Sequence, residues 1–321
     1  MLRRIAIGAG VAAIVGAGAY VGASAIVYDR LTSVPGGCPP SQVANSPAGF
    51  RVPNPPDFDP SPWFMPAPET VSFPSRDAGI EISGWYVPGE AADAPAVVIV
   101  HGHMACKHDH SVLLPAGMLH RNGFSVLLID LRDHGDSTYE DGRYAGGTDE
   151  YRDVLGAWDW LQTAKATRKE RIGLLGVSLG AATVLIATGE EPRVAATWED
   201  SSYGDIAVAI RAELERNGYP TFLEPAGLLI AKILSGDDLR ARSPLTAVHK
   251  LAGRPLFITH GDADARLDVS YARDLDAAVR GDGGDVETWI VQGAGHTMAM
   301  FLHPDDYERR LVAFFRRSLR G

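Results

Sequence analysis

The chain has 321 residues, 45% of them hydrophobic and 22% charged, a balance that supports a sizeable core and excludes a wholly disordered or collagen-like protein. Thirty Lys and Arg against forty Asp and Glu give a formal charge of −10; without a global basic field, nucleic acid is excluded as the expected partner. Two cysteines, Cys38 and Cys106, are too few for a disulfide framework or a four-cysteine zinc site and leave a single bridge open.

In chain order, Arg3 and Arg4 precede residues 5–27, 23 positions without a charge. As a helix this run would reach roughly 35 Å, enough for a hydrocarbon core of ~30 Å. The expectation is a signal anchor over residues 1–30, its N-terminus cytoplasmic and the rest outside. A cleaved signal ending at Ala23-Ser24-Ala25, which would release the protein, is the alternative. Twelve of the 21 prolines fall within residues 34–74. Proline donates no backbone hydrogen bond, so residues 31–70 are expected as a semi-rigid spacer, with Trp63, Phe64 and Met65 resting on the domain surface.

From residue 71 to 321 the pattern is that of one catalytic domain. Loose alternation over 80–87 reads as a strand. Short apolar runs at 96–100, 125–129, 171–177, 194–198, 256–259 and 286–291 fit strands buried on both faces. Helical spacing occupies 149–164, 179–188, 269–279 and 305–319, and Pro304-Asp305-Asp306 is a good helix start. This alternation predicts an α/β fold with a mostly parallel sheet and helices on both faces. Residues 201–243 are too long for a simple crossover; 206–216 and 222–234 read as two extra helices.

The chemistry starts at Gly176-Val177-Ser178-Leu179-Gly180. A G-x-S-x-G between an apolar strand and a helix reads as a nucleophile elbow, with Ser178 on a strained turn above the sheet. His101, His103, His108 and His110 invite a zinc reading. No Cys or H-E-x-x-H accompanies them, and His101 and His103 would point to opposite faces of an extended segment, so neither metal nor cofactor is expected.

Four motifs resemble those of the α/β-hydrolase superfamily, in its serine esterase and peptidase-like branch: Val100-His101-Gly102-His103, the Asp130 to Ser137 segment, the elbow, and His260-Gly261-Asp262-Ala263-Asp264 with Gly295-His296 downstream. The resemblance implies an oxyanion hole from the backbone N–H groups of Leu179 and His103, with Met104 the competitor for the second. It implies a bracing role for Asp130 and Arg132 as a hydrogen-bonded pair. The order Ser, acid, His offers Asp264 as the acid, with Asp262 and Asp200 as competitors and Asp268 as a helix cap. It offers His296 as the base, with His303 competing. It also implies that residues 201–243 form a short helical cap over the site.

The function expected from these residues is a serine hydrolase acting on small-molecule or lipid esters, or on amides and peptides, through Ser178, Asp264 and His296. An extracytoplasmic acyltransferase using the same acyl-enzyme is the alternative. An anchored, non-enzymatic interaction protein is the third.

Overall fold

The computed structural model describes residues 2–234, 236 and 238–320, the side chains of residues 2–13 and of residue 234 excepted. Eight strands form one sheet: β1 (Glu69–Pro74), β2 (Glu81–Val87), β3 (Ala96–Val100), β4 (Ser125–Ile129), β5 (Ile172–Val177), β6 (Ala196–Asp200), β7 (Leu256–Gly261) and β8 (Val286–Val291), in the order β1-β2-β4-β3-β5-β6-β7-β8. β1 and β2 run antiparallel, as do β2 and β4; every other pairing is parallel. The helices are α1 (Leu2–Thr32), α2 (His110–His120), α3 (Tyr151–Ala164), α4 (Leu179–Glu190), α5 (Ile206–Arg216), α6 (Glu224–Leu234), α7 (Pro244–Val248), α8 (Ser270–Gly281), α9 (Ala299–Leu302) and α10 (Pro304–Ser318). This is the α/β-hydrolase architecture with a helical insertion between β6 and β7.

The central strands are apolar throughout because each side of the sheet has its own core. Val97 and Ile99 of β3 join Val126 and Leu128 of β4 on the face covered by α2 and α10. Val98 and Val100 join Leu127 and Ile129 on the face covered by α3 and α4. A continuous hydrophobic run is what such two-faced burial requires. At the parallel strands' C-terminal ends the chain turns into α4, the cap and the loops after β7 and β8, so side chains from distant parts of the sequence converge there.

Two elements depart from expectation. α2 carries Pro115 and Gly117 inside the helix, which hide its periodicity. Gly117 is required because the Trp63 backbone occupies the space a Cβ would take. Residues 31–70 do not stand off as a spacer. Phe50, Val52, Trp63 and Met65 are buried in the core beside α2, the Trp63 indole donates to Glu308 at 2.8 Å, and Cys38 is disulfide-bonded to Cys106. The prolines shape a strap that wraps the domain.

Among the described residues no helix is long and apolar enough to cross a membrane. The expected span of residues 5–27 falls partly on side chains outside the described residues. Its C-terminal part does not stand clear of the domain: Ser24 and Val27 are buried, Tyr20 donates its hydroxyl to the Phe222 carbonyl at 2.8 Å, and α1 packs along α6.

Candidate active site

Ser178 sits between β5 and α4 with φ 57° and ψ −117°, a conformation L-residues adopt only where the surroundings enforce it. The flanking glycines permit it. A Cβ on Gly176 would strike the Gly180 carbonyl, and one on Gly180 would strike the carbonyls of Val100 and His101. The Ser178 N–H donates to the Asp200 carbonyl at 2.8 Å, fastening the turn to the end of β6. The hydroxyl is thereby held above the sheet.

His296, in the loop after β8, brings Nε2 to 2.9 Å from Ser178 Oγ. Its Nδ1 donates to Asp264 Oδ2 at 2.7 Å. The other Asp264 oxygen accepts from the backbone N–H groups of Arg266 and Leu267, at 2.8 and 2.9 Å. Burial works against the Asp264 charge, but the His260 and His296 imidazoles beside it outweigh that and hold the carboxyl well below the usual carboxylate range. His260 has a place that its sequence position did not announce. It is buried on β7, its Nε2 donating to the Leu267 carbonyl at 2.8 Å and lying 3.4 Å from Asp264 Oδ2.

The competing residues are occupied elsewhere. Asp262 accepts from the Gly293 N–H at 2.6 Å and ties the two loops together. Asp200, fully buried, accepts from the hydroxyls of Ser201 and Tyr307 at 2.8 and 3.0 Å. Asp268 accepts from the Ser270 N–H at 2.8 Å, but α8 starts at Ser270 with Val269 as its N-cap residue, so Asp268 stands one position before the cap it was expected to be. His303 is the N-cap residue of α10.

The segment after β3 lies against the elbow. A Cβ on Gly102 would come within 3.2 Å of Ser178 Cβ, so glycine lets this loop approach the serine. Leu179 opens α4, where backbone N–H groups are unpaired within the helix and favour negative charge. The His103 ring packs on Tyr144 with centroids 4.2 Å apart, and burial pushes its pKa down to about 3. Met104, by contrast, is 46% exposed with φ 57°.

The expected Asp130–Arg132 pair does not form. Asp130 takes the backbone N–H and the ammonium of the buried Lys107, while Arg132 pairs with Asp153, Asp77 and Glu140. The Asp130 carboxylate still braces the loop after β3, since Lys107 lies in that loop, four residues beyond His103. The four histidines of the zinc reading are engaged separately. His101 donates to the Gly102 carbonyl and accepts from the Leu131 N–H, His108 donates to the Asn45 carbonyl, and His110 packs on Phe301. Among the described residues no His, Cys, Asp or Glu group is arranged to hold a metal.

A cavity of ≈ 200 Å³ opens onto Ser178, with His103, Tyr144 and Leu179 on the domain side. Ile206 and Ile210 of α5, in the insertion after β6, line it as well.

Residues 114–321, about two thirds of the chain, match the prolyl oligopeptidase family. A 31.7 kDa protein of Escherichia coli is 26% identical over 148 residues, 46% of this chain and 50% of that relative; the chain thus spans about half the length of the curated relatives it matches first. The fold is similar to the esterase Pf2001 of Pyrococcus furiosus, with TM-score 0.64, 20% identity and coverage of 89% of this chain and 99% of that one. It is also similar to the acylaminoacyl peptidase of Pyrococcus horikoshii, with TM-score 0.59, 21% identity and coverage of 79% and 42%.

Proposed function

The chain belongs to the prolyl oligopeptidase family, and from that premise we propose that this serine hydrolase cleaves carboxylic esters, and secondarily amides, through an acyl-enzyme on Ser178. The observation that carries the reading is the unbroken line of contacts from Ser178 Oγ through His296 to Asp264, at 2.9 and 2.7 Å. His296 takes the Ser178 proton as Oγ attacks the carbonyl carbon. The oxyanion that develops is met by the N–H groups of His103 and Leu179, each worth about 10²–10³ in rate. Asp264, held ionised, fixes the imidazole tautomer and stabilises the imidazolium. That imidazolium then protonates the leaving alcohol. Water, deprotonated by His296, attacks the acyl-enzyme, releasing the acid and restoring the Ser178 hydroxyl. Neither metal nor cofactor enters any of these steps.

Turnover of p-nitrophenyl esters from acetate to octanoate, beside a blocked peptide p-nitroanilide, tests this. Ester cleavage that exceeds anilide cleavage is expected. A protein with no activity on either class would overturn the proposal.

The domain is further proposed to work outside the cytoplasm, held at the membrane by α1. The Cys38–Cys106 bridge suits an oxidising compartment, and the double arginine before the uncharged run suits export with the N-terminus inside. The burial of Ser24 and Val27 favours a retained helix over one removed after Ala25. Carbonate-resistant membrane fractionation of full-length chain, with the strap cleavable by protease added outside the cytoplasmic membrane, is the expected result. A soluble mature chain starting near Ile26 would contradict it.

A further inference from the structure

The cavity above Ser178 has a wall that the family match does not reach. Arg30 and Leu31, on the last turn of α1, line the same cavity as Ser178, His103 and Ile210, yet lie far upstream of residue 114, where the match begins.

Their placement is built. Val27 and Tyr28 are buried, Val27 within a small core with Leu214 and Leu223 of the cap, against which Leu31, Ile210 and Tyr219 pack. On the other side, the Arg143 guanidinium lies 4.9 Å from the Tyr28 ring centroid and pairs with Asp29 at 2.7 Å. The backbone is stitched as well. Tyr144 N–H donates to the Thr32 carbonyl at 3.0 Å, and Val34 N–H donates to the Gly142 carbonyl at 2.7 Å. Tyr144 is the residue on which the His103 ring packs, so the end of α1 is anchored to the same loop that supports the oxyanion segment. Arg30 is directed by a bond from Nη1 to the Tyr219 hydroxyl, at 2.8 Å, and Leu31, which packs against the same small core as Ile210, adds apolar surface to the cavity lining.

We propose that Leu31, positioned by this latch, sets the acyl-chain length the site accepts. α1 then acts as a third cap helix, and the substrate class is an ester whose short to medium acyl chain lies along Leu31, Ile206 and Ile210, beside the charged lining of Arg30, Glu213 and Arg266. The cavity of ≈ 200 Å³ is below the ~300–1,000 Å³ that drug-sized ligands need, and in so small a space the size of one lining side chain decides which chain ends fit. The inference rests on the serine-hydrolase reading above.

The test uses the full-length chain with Leu31→Ala and Leu31→Trp, reading the ratio of kcat/KM for p-nitrophenyl octanoate to that for the butyrate. One methylene in an apolar pocket is worth about tenfold or more. Leu31→Ala should therefore raise the ratio by about tenfold, and Leu31→Trp should lower it by a similar factor. Because a ratio is read within each variant, partial loss of folded protein cancels. Ratios that stay within twofold of wild type, or that move in the same direction for both variants, overturn this proposal alone. A wild type inert toward every ester and unlabelled by a fluorophosphonate probe overturns the hydrolase reading and this inference with it.

Discussion

Replacing Asp264 by Asn separates the acid from its neighbours, and its contacts give the size of the effect. One Asp264 oxygen accepts two backbone N–H groups, from Arg266 and Leu267, and the other accepts from His296 Nδ1. An Asn has a single carbonyl oxygen. With that oxygen kept toward the two backbone donors, the amide NH₂ faces His296 Nδ1, which must then accept. The imidazole proton moves to Nε2, toward Ser178 Oγ, where no proton can be taken. Flipping the amide restores the productive tautomer but sets NH₂ against two N–H groups, at about 1–3 kcal/mol for each donor left unsatisfied. The imidazolium also loses a charge-assisted bond of about 2 kcal/mol. Together these come to about 5 kcal/mol, or roughly 10⁴ in kcat at 1.36 kcal/mol per decade. Asp262→Asn keeps an acceptor for the Gly293 N–H and Asp268→Asn keeps one for Ser270, so both should remain within about threefold of wild type. The assay is kcat on p-nitrophenyl butyrate for the three variants, each checked by thermal melt. An Asp264→Asn variant that melts normally and keeps more than a tenth of wild-type kcat refutes the reasoning, as does a dead Asp262→Asn.

His103 is buried and neutral, its pKa pushed from the usual 6.5 to about 3. The unfolded chain binds a proton below about pH 6.5 that the folded chain refuses, so this side chain weakens the fold increasingly as pH falls from about 6.5 toward 3. His103→Asn keeps the backbone N–H and should gain on wild type by about 2 kcal/mol between pH 7 and pH 5, at about 1.36 kcal/mol per unit; urea titrations at the two pH values check the difference, and a constant gap contradicts it. Joint Cys38→Ser and Cys106→Ser removes a link across 68 residues, with an expected loss of about 2–4 kcal/mol in the same measurement. Gly180→Ala places a methyl on the carbonyls of Val100 and His101 and should abolish ester turnover and lower the melting temperature; wild-type values would mean that the elbow is not this tight.

The strands buried on both faces were the most legible part of the sequence. β3 and β4 carry the expected bounds, because burial on two sides sharpens the ends of an apolar run. β8 carries its bounds too, but it is not buried on both faces as expected, since only Val286 and Val291 are buried and Glu287 is exposed. The candidate site was legible for a related reason. Ser178, Asp264 and His296 each follow an apolar strand, and parallel strands deliver their C-terminal loops to one edge. What stayed hidden depends on partners distant in sequence. Gly117, inside α2, marks the close approach of Trp63. Which cation Asp130 takes, Arg132 or Lys107, is decided by the packing of the loop after β3. The strap over residues 31–70 read as a spacer because its prolines exclude regular structure; Phe50, Val52 and Trp63 are scattered without period, and only the folded core shows what they fill. The reach of α1 into the cavity is likewise a product of helix docking, for which no residue motif exists.

Catalysis by this protein stands or falls on Ser178 as the nucleophile. Treating the full-length protein with a fluorophosphonate probe and mapping the adduct by peptide mass spectrometry tests this directly. A single adduct on the peptide bearing Ser178, absent after Ser178→Ala and accompanied by a loss of turnover on the order of 10⁶, is the predicted result. An adduct on another serine, or equal labelling of Ser178→Ala and wild type, would contradict it.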